Sequence, residues 1–197
     1  MDGAAGQAGP GADLDAVSLL FGSVSRARRT SWVGRMARLI PPTDTVRDSY
    51  LRGEAETALE AGLPTGWLEE AAADFAGFVE RRRQARELWG VPVTELWLVD
   101  GTDYLGTVVI RHRLTPALER EGGHLGYHVV PGHRRRGHAT RMLAQARAVC
   151  RRLGLDEVLV TCAETNTASR RVIEANGGVL DGVLDGEARY RVPTSRS

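Results

Sequence analysis

The stretch from Gly123 to Leu143, GHLGYHVVPGHRRRGHATRML, most restricts how this 197-residue chain can fold. It reads as a strand, then a tight turn bearing arginine and glycine, then a helix. That order exposes the backbone N–H groups of the turn and sets them at a helix N-terminus, whose partial positive charge adds to theirs. Such a turn is a way to hold a pyrophosphate, so the segment points to a phosphate-bearing ligand.

The rest of the chain supplies elements on either side. Residues 36–40 read as a short strand stopped by Pro41-Pro42. Thr43 or Asp44 caps a helix running to about residue 61, and 62–66 is a loop. Residues 67–88 read as one helical stretch, with Leu68, Ala72, Phe75, Phe78 and Val79 at helical spacing and its aromatic side chains in the core. The period then changes. Residues 95–100 and 104–113 around Gly101-Thr102-Asp103 form a hairpin signal, and 124–130 is a third strand. A helix follows over 137–153, with Gly154 as its C-terminal cap. Residues 158–162 are a short buried strand, and 167–175 are a helix stopped by Asn176-Gly177-Gly178. The chain closes with strands 179–184 and 188–192, joined at Asp185-Gly186. Strands that first pair antiparallel and then alternate with helices make a mixed-sheet α/β (α+β) domain.

Composition excludes several classes. Hydrophobic content of 42% and charged content of 26% fit a soluble globular chain. A formal net charge of +1 exerts no global pull toward nucleic acid or membrane, so neither is expected as a partner. All 26 basic residues are arginine, which leaves no lysine of its own to acylate. No run of 18 apolar residues offers a membrane span, and the N-terminus lacks the basic and apolar regions of a secretory signal. Cys150 and Cys162 have neither zinc-ligand nor redox-motif spacing. They read as small buried hydrophobes of a reducing, cytoplasmic compartment, with no metal site. Residues 1–33 read as a disordered Gly/Ala- and Arg-rich leader, with a marginal helical segment at 14–21 and arginines around Trp32. Residues 34–197 form the folded domain.

The turn Arg134-Arg135-Arg136-Gly137-His138-Ala139 fits the pattern basic/Gln-x-x-Gly-x-Gly/Ala. Val129-x-Pro131 precedes it, and Asn166-x-x-Ser169 and Asn176-Gly177 follow. This ordered set resembles motifs A and B of the GCN5-related N-acetyltransferase (GNAT) superfamily, over roughly residues 35–197. Trp97-Leu98-Val99-Asp100, Arg111-His112-Arg113-Leu114 and Gly122-Gly123-His124-Leu125-Gly126-Tyr127 resemble a subgroup of predicted bacterial acetyltransferases. The resemblance implies the GNAT fold, a central, mostly antiparallel sheet splayed at the cofactor cleft and flanked by helices. It also implies acetyl-CoA as acyl donor and direct transfer, in a ternary complex, to a small-molecule or peptide amine. A homodimer is open.

On this resemblance the cofactor-binding candidates are Arg134, Arg135, Arg136, Gly137, His138, Ala139 and Thr140. Backbone amides from Arg135 to Thr140 receive the pyrophosphate, and Gly137 permits close approach because it lacks a β-carbon. The arginine side chains reach the 3′-phosphate or solvent. Val129 and Val130 pair with pantetheine like an added strand, and one of their amides polarises the thioester and stabilises the oxyanion. Asn166, with Ser169, contacts pantetheine, caps a helix, or does both.

Proton transfer is the gap. The positions where relatives carry a base and an acid hold Gly123 and Ile173, which can serve as neither. The catalytic candidates are therefore the backbone of Val129 and Val130, with Glu164, Tyr127 and His124 as substitutes. His124 and His128 share a strand face, with Tyr127 opposite, and His112 and Tyr190 are further options. Acceptor contacts are expected from residues 44–89 and 179–192. Arg111 and Arg113, on a strand expected to be exposed, suit an acidic acceptor or simply solvent. Three other classes compete: a non-catalytic acyl-CoA-binding module, a Rossmann-type nucleotide domain and, weakest, a nucleic-acid binder resting on the arginine leader; of these the first is the runner-up. The second is disfavoured because no Gly-x-Gly-x-x-Gly occurs.

Overall fold

The computed structural model describes residues 37–195. The expected leader and Met36 lie outside the described residues. The element order is β1 (Arg38–Ile40), α1 (Arg47–Ala61), α2 (Gly66–Ala73), α3 (Phe75–Arg83), β2 (Arg86–Leu88), β3 (Val91–Asp100) and β4 (Asp103–Arg111). It continues with α4 (Pro116–Arg120), β5 (Leu125–Val129), α5 (His138–Arg152), β6 (Glu157–Ala163), α6 (Thr167–Glu174), β7 (Val179–Leu184) and β8 (Glu187–Pro193). The mixed α/β class expected from the sequence is the one observed.

The strands form two antiparallel sheets. One runs β1-β3-β4-β5 with β2 also on β3, and the other runs β6-β8-β7. Backbone hydrogen bonds join the two where β5 and β6 begin. There the His124 N–H donates to Leu159 O at 2.7 Å, and the Leu159 N–H donates to His124 Nδ1 at 2.9 Å. The chain can come this close because Gly123 has φ +55° and no β-carbon; one added there would lie 2.4 Å from Leu159 O. Beyond this clasp the strands part, leaving β5 as an edge.

Residues 67–88 are not one helix. Asp74 takes a non-helical conformation (φ −139°) and caps α3, its side chain accepting from the Gly77 N–H. The pattern then switches to β2, where Leu88 pairs with Val91 across Trp89 (φ 55°) and Gly90 (φ 72°). Two left-handed residues in a two-residue loop make a type I′ hairpin turn. Periodicity missed this because a capping Asp interrupts the helix without changing its apolar spacing. Buried Glu95 holds α3 and β2 against β3, accepting from Arg82, Arg86 and the Trp97 indole. Short α4, absent from the sequence reading, begins with Pro116 and is capped by Thr115.

Each face of the first sheet carries a core. On one side α5 and α6 bury Met142, Leu143, Ala146, Cys150 and Ile173. On the other, α1–α3 enclose Tyr50, Phe75, Phe78, Trp97 and Tyr104, with Tyr50 and Trp97 stacked at 4.3 Å. Burial of each such ring stabilises by roughly 1.5–3 kcal/mol. Phe75 and Phe78 are core, as read from the sequence, with Trp67 partly buried against them, and both cysteines are buried.

Candidate active site

The free edge of β5 follows from its register. β4 and β5 pair Gly106 with Val129, Thr107 with His128 and Val108 with Tyr127. The Val130 N–H donates to Leu105 O at 3.0 Å, and the Arg111 N–H to His124 O at 2.8 Å. Hydrogen-bonded and non-bonded pairs alternate along an antiparallel ladder. The backbone groups of Tyr127 and Val129 therefore point away from β4, into the opening toward β6. The expectation that Val130 offers free backbone does not hold. Its amide belongs to the ladder, and its side chain is buried against Gly53 of α1. Arg134 also departs from expectation: Nε donates to Val129 O at 2.8 Å and Nη1 pairs with Glu60 at 2.6 Å. Its guanidinium thus braces β5 and α1, which leaves Val129 with its N–H and Tyr127 with both groups.

The turn after β5 is built around two left-handed residues, Arg135 (φ 61°) and Gly137 (φ 76°). For arginine this conformation costs about 1–2 kcal/mol, strain of the kind that collects at functional sites. Left-handed residues in a turn are the conformation from which anion-binding nests are built. The amides of residues 135–140 donate to no acceptor among the described residues. A β-carbon on Gly137 would meet nothing within 4 Å, because that space opens into a groove of about 660 Å³ bounded by the turn, β5 and α6. His138, Ala139, Thr140, Asn166 and Ser169 all line it, and Arg136 does not. His133 and His138 line it too, each with a buried Nδ1 that lacks a partner among the described residues. Burial, helped by neighbouring positive charge, pushes the pKa of both imidazoles down. An anionic phosphate chain fits this cradle.

Groups able to carry protons flank the free edge. The Tyr127 hydroxyl meets Ser169 Oγ at 2.9 Å. Burial raises the Tyr127 pKa, so the hydroxyl keeps its proton. Asn166 Oδ1 caps α6 by accepting from the Ser169 N–H at 3.0 Å, while the residue also faces the groove. On the opposite face of β5, His128 Nε2 lies 2.7 Å from Glu54 Oε1. The Tyr104 hydroxyl donates to the same oxygen at 2.5 Å. Glu54 is 8% exposed, whereas the His128 side chain is 35% exposed and lines the groove. Its Nδ1 makes no hydrogen bond among the described residues.

The remaining candidates fall elsewhere. His124 is the clasp between β5 and β6, with Nδ1 engaged by the Leu159 N–H, and burial lowers its pKa. It is not a free base. Glu164 is exposed and lines neither cavity described here; its N–H is tied to Gly186 O. His112 bonds Thr94, and Tyr190, 1% exposed, sits between Arg170 and Glu174. Glu54 escaped the sequence reading because one acid among several on a helix carries no local mark. The faint signal was Gly53 inside a helical pattern, which lets α1 approach β5 closely enough for Glu54 to reach His128.

A second cavity of about 280 Å³ meets the groove at Tyr127, Asn166 and Ser169. Arg111 lines it. This residue was expected on an exposed strand, yet it is only 7% exposed. The Trp89 ring covers its guanidinium at 4.3 Å. Among the described residues no three His, Cys, Asp or Glu side chains are grouped to hold a metal ion.

A family model described as "Acetyltransferase (GNAT) domain" matches residues 37–179. No curated protein matches the chain in sequence. Solved structures do match in fold. RimJ of Mycobacterium smegmatis, in complex with CoA-disulfide, superposes with a TM-score of 0.53 at 20% identity, over 81% of this chain and 86% of that one. The GNAT domain of S. lividans PAT gives 0.50 at 17% identity, over 80% and 89%. The microcin C7 self-immunity acetyltransferase MccE, in complex with acetyl-CoA and AMP, gives 0.50 at 13%, over 79% and 91%.

Proposed function

The chain belongs to the GNAT acetyltransferase domain family, and from that premise we propose that it moves an acetyl group from acetyl-CoA to a primary amine by direct transfer in a ternary complex. One observation carries the reading: six unengaged amides at residues 135–140 continue into the free edge of β5 at Val129 and Tyr127. The amides hold the pyrophosphate. The β5 edge takes pantetheine as an added strand, and its N–H groups face the thioester carbonyl, where negative charge develops. Acetyl-CoA supplies the activated acyl group. His128 takes the proton of the attacking amine on Nδ1 while Glu54 orients the ring and balances its charge. As the C–N bond forms and the C–S bond breaks, Tyr127, partnered by Ser169, protonates the departing thiolate.

The test measures free thiol release with acetyl-CoA and a panel of amines, beside direct CoA binding. Thiol release that depends on an amine is the expected result. CoA binding without release from any amine would favour a non-catalytic acyl-CoA-binding module instead; the His128–Glu54 pair weighs against that.

Finer readings accompany the proposal. Residues 1–33 are a leader and 34–197 the catalytic domain. The enzyme is bacterial and cytoplasmic, and its acceptor is a small-molecule or peptide amine. A homodimer would use edge strand β7, whose Val179 and Val183 are 69% and 48% exposed. Sedimentation of the protein with Val183→Asp against wild type checks that last point.

A further inference from the structure

Among the described residues, Arg111 is a buried cation without an anion. Nη1 donates to Gly122 O at 2.8 Å and Gly123 O at 3.0 Å, and Nε is buried with no partner. No charged neighbour offsets its desolvation, which lowers its pKa. A buried guanidinium normally sits against a carboxylate, because an unpaired buried charge is costly. The unused edge points at the strand floor: a β-carbon added at Gly126 would lie 3.5 Å from Nη2. Gly126 itself lines the smaller cavity. His128 is two residues further along the same face of β5, roughly 7 Å away. The bare backbone of Gly126 thus separates a cation at one end from the proposed base at the other.

We propose that Arg111 binds the carboxylate of the acceptor, so that the preferred substrates are amines that also carry a carboxylate, amino acids or short peptides among them. This rests on the acetyltransferase reading above. The guanidinium edge matches a carboxylate in shape and charge. Gly126 and Tyr127 line the cavity beside Arg111, so an acceptor held there lies along β5, with its amine toward His128 and the thioester. A single-charged carboxylate suits the cavity better than a dianionic phosphate, because Glu121 and Glu187 also line it. Their carboxylates repel added negative charge.

The experiment compares amino acids with their carboxamides on the wild-type protein, which avoids any folding defect. The expected result is a kcat/KM at least about tenfold higher for the free acids, carried by KM. Binding is read separately, by titrating N-acetyl amino acids and their amides into the CoA-loaded protein. Only the acids should bind with measurable heat. Arg111→Gln should raise KM for the acids about tenfold more than for the carboxamides, and Arg111→Lys should retain part of the preference. Equal rates and equal binding for acids and amides would overturn the carboxylate site and leave acetyl transfer standing. Acid-selective binding without turnover on any amine would support the site while overturning the transferase reading.

Discussion

Gly137→Ala separates the two roles of the phosphate turn. Gly137 has φ 76°, and a β-carbon there touches no protein atom within 4 Å. The cost to stability is therefore conformational alone, about 1–2 kcal/mol for an L-residue held left-handed. At roughly 2–4 °C per kcal/mol for a domain of this size, the melting temperature should fall by about 2–8 °C. The added carbon projects into the groove where phosphate oxygens approach the amides. Losing one charge-assisted hydrogen bond there costs about 1.5–3 kcal/mol, or roughly 10- to 150-fold in Kd. Calorimetry with CoA and with phosphate-free pantetheine measures this directly. CoA should weaken by that factor and pantetheine by less than about twofold. A variant that melts lower yet binds CoA as wild type would refute the cradle, and an equal loss for both ligands would point to general distortion of β5.

Other outcomes follow from the same geometry. Arg135→Gly relieves left-handed strain and should raise stability by up to about 1 kcal/mol in a denaturant melt; a loss would mean the side chain stabilises the turn. Glu54→Gln should lower kcat at least about tenfold with CoA affinity unchanged; an unchanged kcat would remove the pair from proton transfer. Tyr127→Phe and Ser169→Ala should each slow the chemical step, and the double variant should be no slower than the worse single one, as for groups that act as a unit. His124, His133 and His138 all have pKa values lowered by burial. The unfolded chain therefore binds more protons below the ordinary histidine value of about 6.5. Stability should be fully present above that pH and decline as pH falls from about 6.5 toward the folded values. Bound CoA should lessen the decline by favouring protonation of His133 and His138; melting curves from pH 7.5 to 5 with and without CoA test both statements.

How far the sequence was legible depends on the reach of each interaction. Helix α5, its glycine-bearing start and Gly154 beyond its end were readable because caps and periodicity involve residues a few positions apart. The hairpin of β3 and β4, the core aromatics and the buried cysteines were readable for the same reason. The break at Asp74 and the strand at Arg86–Leu88 were not, since the apolar spacing ran on through both.

At the site, the turn proposed to hold phosphate could be read directly, because its unengaged amides are consecutive and its signature is a run of six residues. Side-chain assignments that needed a partner fared worse. His124 became a clasp once Leu159 lay beside it, Arg134 turned back onto Val129 and Glu60, and Val130 joined the ladder to Leu105. The sequence alone determined the fold class, the family resemblance and the strand–turn–helix that carries the proposed anion cradle. Tertiary structure alone decided which groups share a proton and which charge stands unpaired. Glu54 and His128 are 74 residues apart in the chain and 2.7 Å apart in space, and no local pattern records a pairing that exists only because helix α1 packs across strand β5.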